Sequence, residues 1–288
     1  MFSVSLLMTL GATAVAAVPS GARSLMSGSV KCPVVLEGRI PASAAPTDFD
    51  VNNDLFNSGY VKGNNLTWSD ILLFPEVPNS RFDNASYKSV EVTISDESIF
   101  QKQYGFRRAG LQFANDTNEG SLGYQGLRTL HWSVKQDSAR ALNLSHEYLN
   151  VWHEAADYSR DQIMFQTGQM LAYPDMPADT FKFFDRNSKL LWSVPIDFTC
   201  WQNFAITLDI DSNLVQIYYS LGDAALKAVT GFVPADLSGE GQFQLGMIKK
   251  PTGTDDVVNS GFQESPLNEG QIYGGIFVED STGGCVSL

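Results

Sequence analysis

The sequence predicts an all-β chain, an antiparallel β-sandwich of jelly-roll type with few short helices. Apolar and polar residues alternate over short segments along most of the chain, which is the period of a half-buried strand. Gly, Pro, Asn and Asp separate these segments, as turns require. No repeat, low-complexity tract or linker divides the chain, so the strands belong to one domain. At 288 residues the chain can bury a large core.

The elements follow in order. SVEVTIS sets Val90, Val92 and Ile94 on one face. TLHWSVK sets Leu130, Trp132 and Val134 on one face, with Thr129, His131 and Ser133 on the other. Phe204, Ile206, Leu208 and Ile210 alternate in NFAITLDI, the turn Asp211-Ser212-Asn213 follows, and LVQIYYS continues, so residues 203–220 read as a hairpin. QFQLGMI divides Phe243, Leu245 and Met247 from Gln242 and Gln244. QIYGGIFVED is a further strand with a Gly-Gly bulge. LGDAALKAV, residues 221–229, is the one fair candidate for a short helix.

The chain begins with a short apolar run that carries no charged side chain before Arg23. Ala14-Val15-Ala16 and Val15-Ala16-Ala17 both fit small-x-small cleavage sites, so residues 1–17 read as a secretory signal peptide, too short for a comfortable membrane span. Residues 18–31 form a flexible lead-in and residues 32–288 a single domain. Secretion agrees with four glycosylation sequons, at Asn65, Asn84, Asn115 and Asn143. The three cysteines, Cys32, Cys200 and Cys285, allow one disulfide and one thiol in an oxidising compartment, with all three pairings open. The net charge of -13 and pI near 4.5 argue against nucleic acid and anionic membrane as partners. They suit a secreted extracellular monomer that works on a neutral substrate at mildly acid pH.

Two of the three histidines lie in LNLSHEYLNVWHEAADYSRDQIMFQTG, where His146-Glu147 and His153-Glu154 stand seven residues apart. On a helix the pairs would share a face. On a strand seven is odd, so Glu147, Leu149, Val151 and His153 face one way and His146, Tyr148, Asn150, Trp152 and Glu154 the other. The second set resembles the wall of a sugar-binding groove. Glu147 would then point coreward unless the strand carries a bulge. The spacing is wrong for a zinc protease, whose two histidines sit one helical turn apart, and no metal site is expected. Sugar hydrolysis uses two carboxyl groups, one of them a proton donor of raised pKa, and Glu147 and Glu154 have suitable neighbours. The Glu-x-Asp-x-x-Glu pattern of sandwich glucanases is absent, as is Gly-x-Ser-x-Gly. In GFRRAG, Arg107 and Arg108 point to opposite faces of a strand, so one of them can enter a cleft. Trp132 reads as core and Trp152 as a groove residue.

GFRRAG, TLHWSVKQDSARALNLSHEYLNVWHEAADYS, WQNFAITLDIDSNLVQIYYS and GMIKKPTG, followed by SGFQESPLNEGQIYGGIFVEDS, together resemble glycoside hydrolase family 131 from about Cys32 to Asp280. The resemblance implies a fungal secreted protein with a β-jelly-roll fold, active on β-1,3-, β-1,6- and β-1,4-linked glucans, with no cofactor and no metal in its chemistry. It implies that Glu147 is a cleft glutamate. It also implies a second glutamate where Gly110 stands and a histidine where Gln244 stands. Glycine donates no proton and glutamine is no base. Either another acid such as Glu154, Glu264 or Glu269 fills the gap, or the chain binds glucan without hydrolysing it. The expected site is therefore Glu147 and Glu154 as catalytic residues, with Arg107, Arg108, His131, Tyr148, Trp152 and Gln244 as substrate contacts. A polysaccharide lyase is a third reading, disfavoured by the negative charge.

Overall fold

The computed structural model describes residues 28–59 and 61–288. The expected signal peptide and the lead-in up to residue 27 lie outside the described residues. Residues 28–31 lie against the domain, where the Lys31 amide donates to Ser287 Oγ at 2.8 Å.

The principal strands are β1 (Val34–Glu37), β2 (Val90–Ser95), β3 (Arg107–Gln112), β4 (Leu127–Gln136), β5 (Glu147–Glu154) and β6 (Asp161–Gly168). They continue with β7 (Thr180–Asp185), β8 (Leu190–Pro195), β9 (Gln202–Asp209), β10 (Leu214–Leu221), β11 (Gln242–Lys249) and β12 (Asn268–Asp280). One sheet runs β10-β9-β4-β12-β2, with β1 also paired to β12 and two-residue strands at its edges. The other runs β8-β7-β6-β5-β11-β3. Neighbours in both sheets are antiparallel, and the two stack face to face as a jelly-roll sandwich.

The inner faces are the apolar sets that the alternation marks. Trp132 and Phe204 of the first sheet meet Phe165 of the second at ring separations of 5.2 and 4.7 Å, and Phe181 and Phe183 complete the cluster. Each such ring contributes roughly 2–3 kcal/mol on burial. Residues 221–229 are not helical. Gly222 turns the chain at φ 59°, and Lys227–Ala228 pair with Tyr219 and Tyr218 of β10. Strand pairing satisfies backbone groups that a short isolated helix would leave open.

The outer face of the first sheet is covered by the chain ends. Cys32 and Cys285 are disulfide-bonded, leaving Cys200 as an exposed thiol. The amide and hydroxyl of Ser287 donate to Glu279 at 2.8 and 2.6 Å. His131 lies beneath this cover, 2.9 Å from Glu279 Oε1 and stacked on Phe277 at 4.4 Å. It is fully buried on the sheet opposite the cleft, so it is no substrate contact. Its strand face, expected to reach substrate, is instead roofed by the termini.

A bulge sets the phase of β5. Leu149 pairs with Gln166 and Val151 with Phe165, which leaves Asn150 as the extra residue. On the other side, Leu245 pairs with Val151 and Ile248 with Leu149. Tyr273 of the opposite sheet secures the distortion, its hydroxyl 2.6 Å from the Gly246 carbonyl and 3.1 Å from that of Asn150. Gly246 permits the close approach of β3, since a β-carbon there would lie 2.0 Å from the Ala109 carbonyl oxygen. The consequence is a change of face. Tyr148 and Val151 point inward, whereas Glu147, Leu149, Trp152 and Glu154 lie on the outer face of the second sheet.

Candidate active site

A cavity of about 360 Å³ opens on that outer face, lined by Arg108, Glu154, Gln242 and Gln244 of the strands and by Phe100, Gln101, Gln103 and Tyr158 of the loops. The sheet supplies the floor. Gln112 and Gln244 are directly paired across β3 and β11, and Gln244 and Trp152 across β11 and β5. Gln244 Nε2 donates to Glu154 Oε2 at 2.8 Å, while its Oε1 has no partner. Gln112 donates to Gln242 and, at 2.9 Å, to the Asp116 carbonyl.

Glu154 faces Asp161 across the β5–β6 pair. Directly opposed residues of adjacent strands carry side chains about 5 Å apart at their base. Burial, more than any charge, raises both carboxyls above the ordinary carboxylate range. Asp161, repelled further by Glu154, is pushed up to about 7. Arg108 and the Gln244 and Gln242 amides favour the ionised form of Glu154 and oppose its rise. Both groups are thus shifted toward holding a proton, Asp161 to about 7, while the Gln244 and Gln242 amides offset part of the rise of Glu154.

The Arg108 side chain is nearly buried, its guanidinium 5.6 Å from the Phe100 ring and 5.8 Å from the Trp152 ring. Nη1 donates to Gln103 Oε1 at 3.1 Å and Nε has no partner. Arg107, on the alternate face of β3, bonds the carbonyls of Tyr104 and Phe106, both at 2.9 Å, and does not line the cavity.

Trp152 is on the cavity side but buried beneath Arg108, packed with Leu149, Ile248, Phe106 and Met164. It supports the floor and offers no open ring to a sugar. Tyr148 is turned inward by the bulge. Its hydroxyl donates to Glu269 Oε2 at 2.8 Å, in a buried group where Lys249 binds Glu269 at 2.6 Å and also pairs with Glu264. His146 Nε2 lies 2.9 Å from Glu264 as well. Tyr148 is thus not a substrate contact, and Glu264 and Glu269 are committed to this ion cluster.

Glu147 shares the outer face with Glu154 but lies at the other end of β5. Seven steps of strand separate them by roughly 20 Å, whereas carboxyl pairs of glycosidases stand roughly 5–10 Å apart. Glu147 accepts from Gln166 Nε2 at 3.0 Å and from the Leu171 amide at 2.8 Å, and it is ion-paired with Lys250. It lines a separate depression with Met164, Tyr173 and Phe184. Gly110 and Gln244 therefore adjoin Glu154, not Glu147. Among the described residues no three His, Cys, Asp or Glu side chains are grouped as metal ligands, and the three histidines occupy three different environments. All four sequon asparagines are exposed.

Sequence reasoning placed Gln244 at the cavity but missed Tyr158, Gln101, Gln103 and Gln242 of its lining and Asp161 beside Glu154. The signal for Asp161 was present. HEAADYSRDQ is a strand, a turn-rich hexapeptide and a second strand, so its hairpin sets Asp161 opposite Glu154.

The model of the glycoside hydrolase 131 catalytic N-terminal domain matches residues 34–284. The fold is similar to the catalytic domain of a GH131 β-glucanase from Podospora anserina, with TM-score 0.71 and 18% identity over 88% of this chain and 97% of that one. It is also similar to the catalytic domain of the glycoside hydrolase family 131 protein from Coprinopsis cinerea, with TM-score 0.68 and 18% identity over 89% of this chain and 97% of that one. A search among curated proteins finds no match. With its all-β jelly-roll sandwich and a family model matched over nearly the whole described chain, the protein belongs to glycoside hydrolase family 131.

Proposed function

We propose that the protein is a secreted β-glucan hydrolase whose proton-transfer pair is Glu154 and Asp161. One observation carries the reading: Glu154 lines the cavity and faces a second carboxyl, Asp161, across the adjacent strand, with the neighbouring Arg108 favouring the charge of both. Asp161 holds its proton at mildly acid pH and delivers it to the leaving glycosidic oxygen. Glu154, whose anion Arg108 and Gln244 favour against burial, acts as nucleophile at the anomeric carbon or as base toward the attacking water, and a water oxygen ends bonded to that carbon. Gln244 and Arg108 line the same cavity and are its nearest polar side chains to a bound sugar. Podospora anserina's similar domain is named a β-glucanase, which supports glucan as the substrate class. The β-1,3, β-1,6 and β-1,4 linkages are the candidates. Secretion rests on the reading of residues 1–17, and the acidic charge supports work on a neutral polysaccharide by a monomer.

A second reading, a glucan-binding protein without turnover, is favoured by Gly110, where no side chain can carry a proton. The test incubates the purified protein with β-1,3-, β-1,6- and β-1,4-glucans at pH 5 and measures new reducing ends. Glu154→Gln and Asp161→Asn should each cut the release seen with the parent by about a hundredfold or more. Release near the parental rate in both variants sinks the assignment. Retention on insoluble glucan with no release from the parent establishes the binding protein.

A further inference from the structure

Tyr158 occupies the tip of the loop Ala155–Arg160, whose two ends lead into Glu154 and Asp161. It lines the cavity and is nevertheless 54% exposed. Its backbone lies at φ 58°, in the left-handed region that residues with a side chain rarely adopt. Gln101, another residue of the cavity wall, is held at φ 52°. Such conformations persist only where the surroundings impose them, and they gather at ligand clamps.

The surroundings of Tyr158 are explicit. Its amide donates to the Ala155 carbonyl at 2.8 Å, the Ala155 amide to the Arg160 carbonyl at 3.0 Å, and the Ala156 amide to the Gly239 carbonyl at 3.1 Å. The phenol oxygen accepts from Asn118 Nδ2. Backbone bonds and the hydroxyl thus fix the ring, while much of its surface stays open to solvent. An ordered, open aromatic face beside convergent polar groups is the anatomy of a small-ligand site.

The remaining wall defines the ligand. Gln101, Gln103, Gln242 and Gln244 present neutral amides, each able to donate and accept. The single cation of the wall, Arg108, is balanced by Glu154. The cavity therefore has no surplus positive charge for a uronate and suits a hydroxyl-rich neutral ring with an apolar C–H face.

We propose that Tyr158 is the stacking platform that seats a neutral glycosyl residue beside the Glu154–Asp161 pair, and so a specificity-determining residue of this chain. The inference rests on the glucan reading above. Its test uses β-1,3- and β-1,4-linked glucohexaoses with the parent, Tyr158→Phe, Tyr158→Ala and Tyr158→Gly. The readouts are KM and kcat where hydrolysis occurs and the calorimetric Kd where it does not. Loss of the ring should raise KM or Kd about tenfold for the preferred hexaose, with kcat within about threefold, and Tyr158→Phe should retain parental affinity. Tyr158→Gly, free of the left-handed constraint, should unfold at a higher temperature than the parent yet bind as weakly as Tyr158→Ala. Parental affinity in a folded Tyr158→Ala or Tyr158→Gly overturns the platform and leaves the glucan reading intact. A parent that neither hydrolyses nor binds either hexaose overturns both.

Discussion

Trp152 lies over Gly110 so closely that a β-carbon on Gly110 would stand 3.0 Å from Trp152 Cη2 and 3.0 Å from Gln244 Oε1. The indole has taken the space above β3 in which a side chain at position 110 would project. Alanine in a strand ordinarily gains about 0.5–1 kcal/mol over glycine. Here overpacking costs about 1–3 kcal/mol and outweighs that gain. Gly110→Ala should therefore lower the urea midpoint. In the Trp152→Phe background, where the ring is smaller, the same substitution should cost less, giving a measurable coupling in the double-mutant cycle. Strict additivity would show that the two residues do not compete for space.

The Glu154–Asp161 pair fixes a pH profile. Asp161, with its carboxyl pushed up to about 7 chiefly by burial, is the acid, so hydrolysis needs it protonated. Activity should decline as pH rises through about 7 and, on the acid side, fall where Glu154 takes up its proton. Asp161→Asn should reduce kcat by about 10²–10⁴-fold and remove that alkaline limb from any residual rate. An unchanged limb in Asp161→Asn would assign the titration to another group.

Much of the fold was legible because an antiparallel sandwich writes its pleat into the sequence. Leu130, Trp132 and Val134, and Phe204, Ile206 and Leu208, point where their alternation says they should. The site was less legible because function sits where that rule breaks. Asn150 inserts one residue in β5, and everything after it changes face, so Glu147 and Glu154 share a side that strict alternation denies them. His131 obeyed the alternation, but its face is closed by Phe82, Phe277 and the C-terminal tail, which no local pattern reveals. Of Arg107 and Arg108 the sequence could say only that one reaches the cleft. Asp161 needed a register, and a register comes from the hairpin as a whole.

Glu147 ties strands to the Gln169–Ala178 loop through Leu171 and to the residue just after β11 through Lys250, and it also favours the charge of the buried Lys182, whose ammonium burial lowers to about 8. Glu147→Gln keeps the shape but removes the charge that pairs with Lys250. The partner is partly exposed, so the cost is about 2 kcal/mol rather than that of a fully buried pair. The thermal midpoint should fall by roughly 4–8 °C while kcat stays within about threefold. Loss of hydrolysis with an unchanged midpoint would return Glu147 to the chemistry.

The buried aspartates make stability itself depend on pH. Burial pushes Asp83 up to about 6 and Asp116 and Asp161 to about 7, from 3.8. Between pH 4 and 7 the folded chain therefore binds protons at these groups that the unfolded chain has released. Stability is then present at the acid end and lost as pH rises through the folded values. His153 acts in the opposite sense, since burial lowers it from 6.5 to about 4 and unfolding takes up a proton between those values. Two to three aspartates against one histidine leave a net loss on the order of 3 kcal/mol from pH 5 to 7. Asp116 is the cleanest probe because it lies outside the cavity lining, accepting from the Phe243 amide at 2.6 Å and from Ser121. Asparagine can accept from Phe243 and donate to Ser121, so Asp116→Asn should fold, flatten the slope and be more stable than the parent above pH 7. Urea titrations at pH 5, 6, 7 and 8 read the difference, and parallel curves for parent and variant would refute the buried charge at Asp116 as its source.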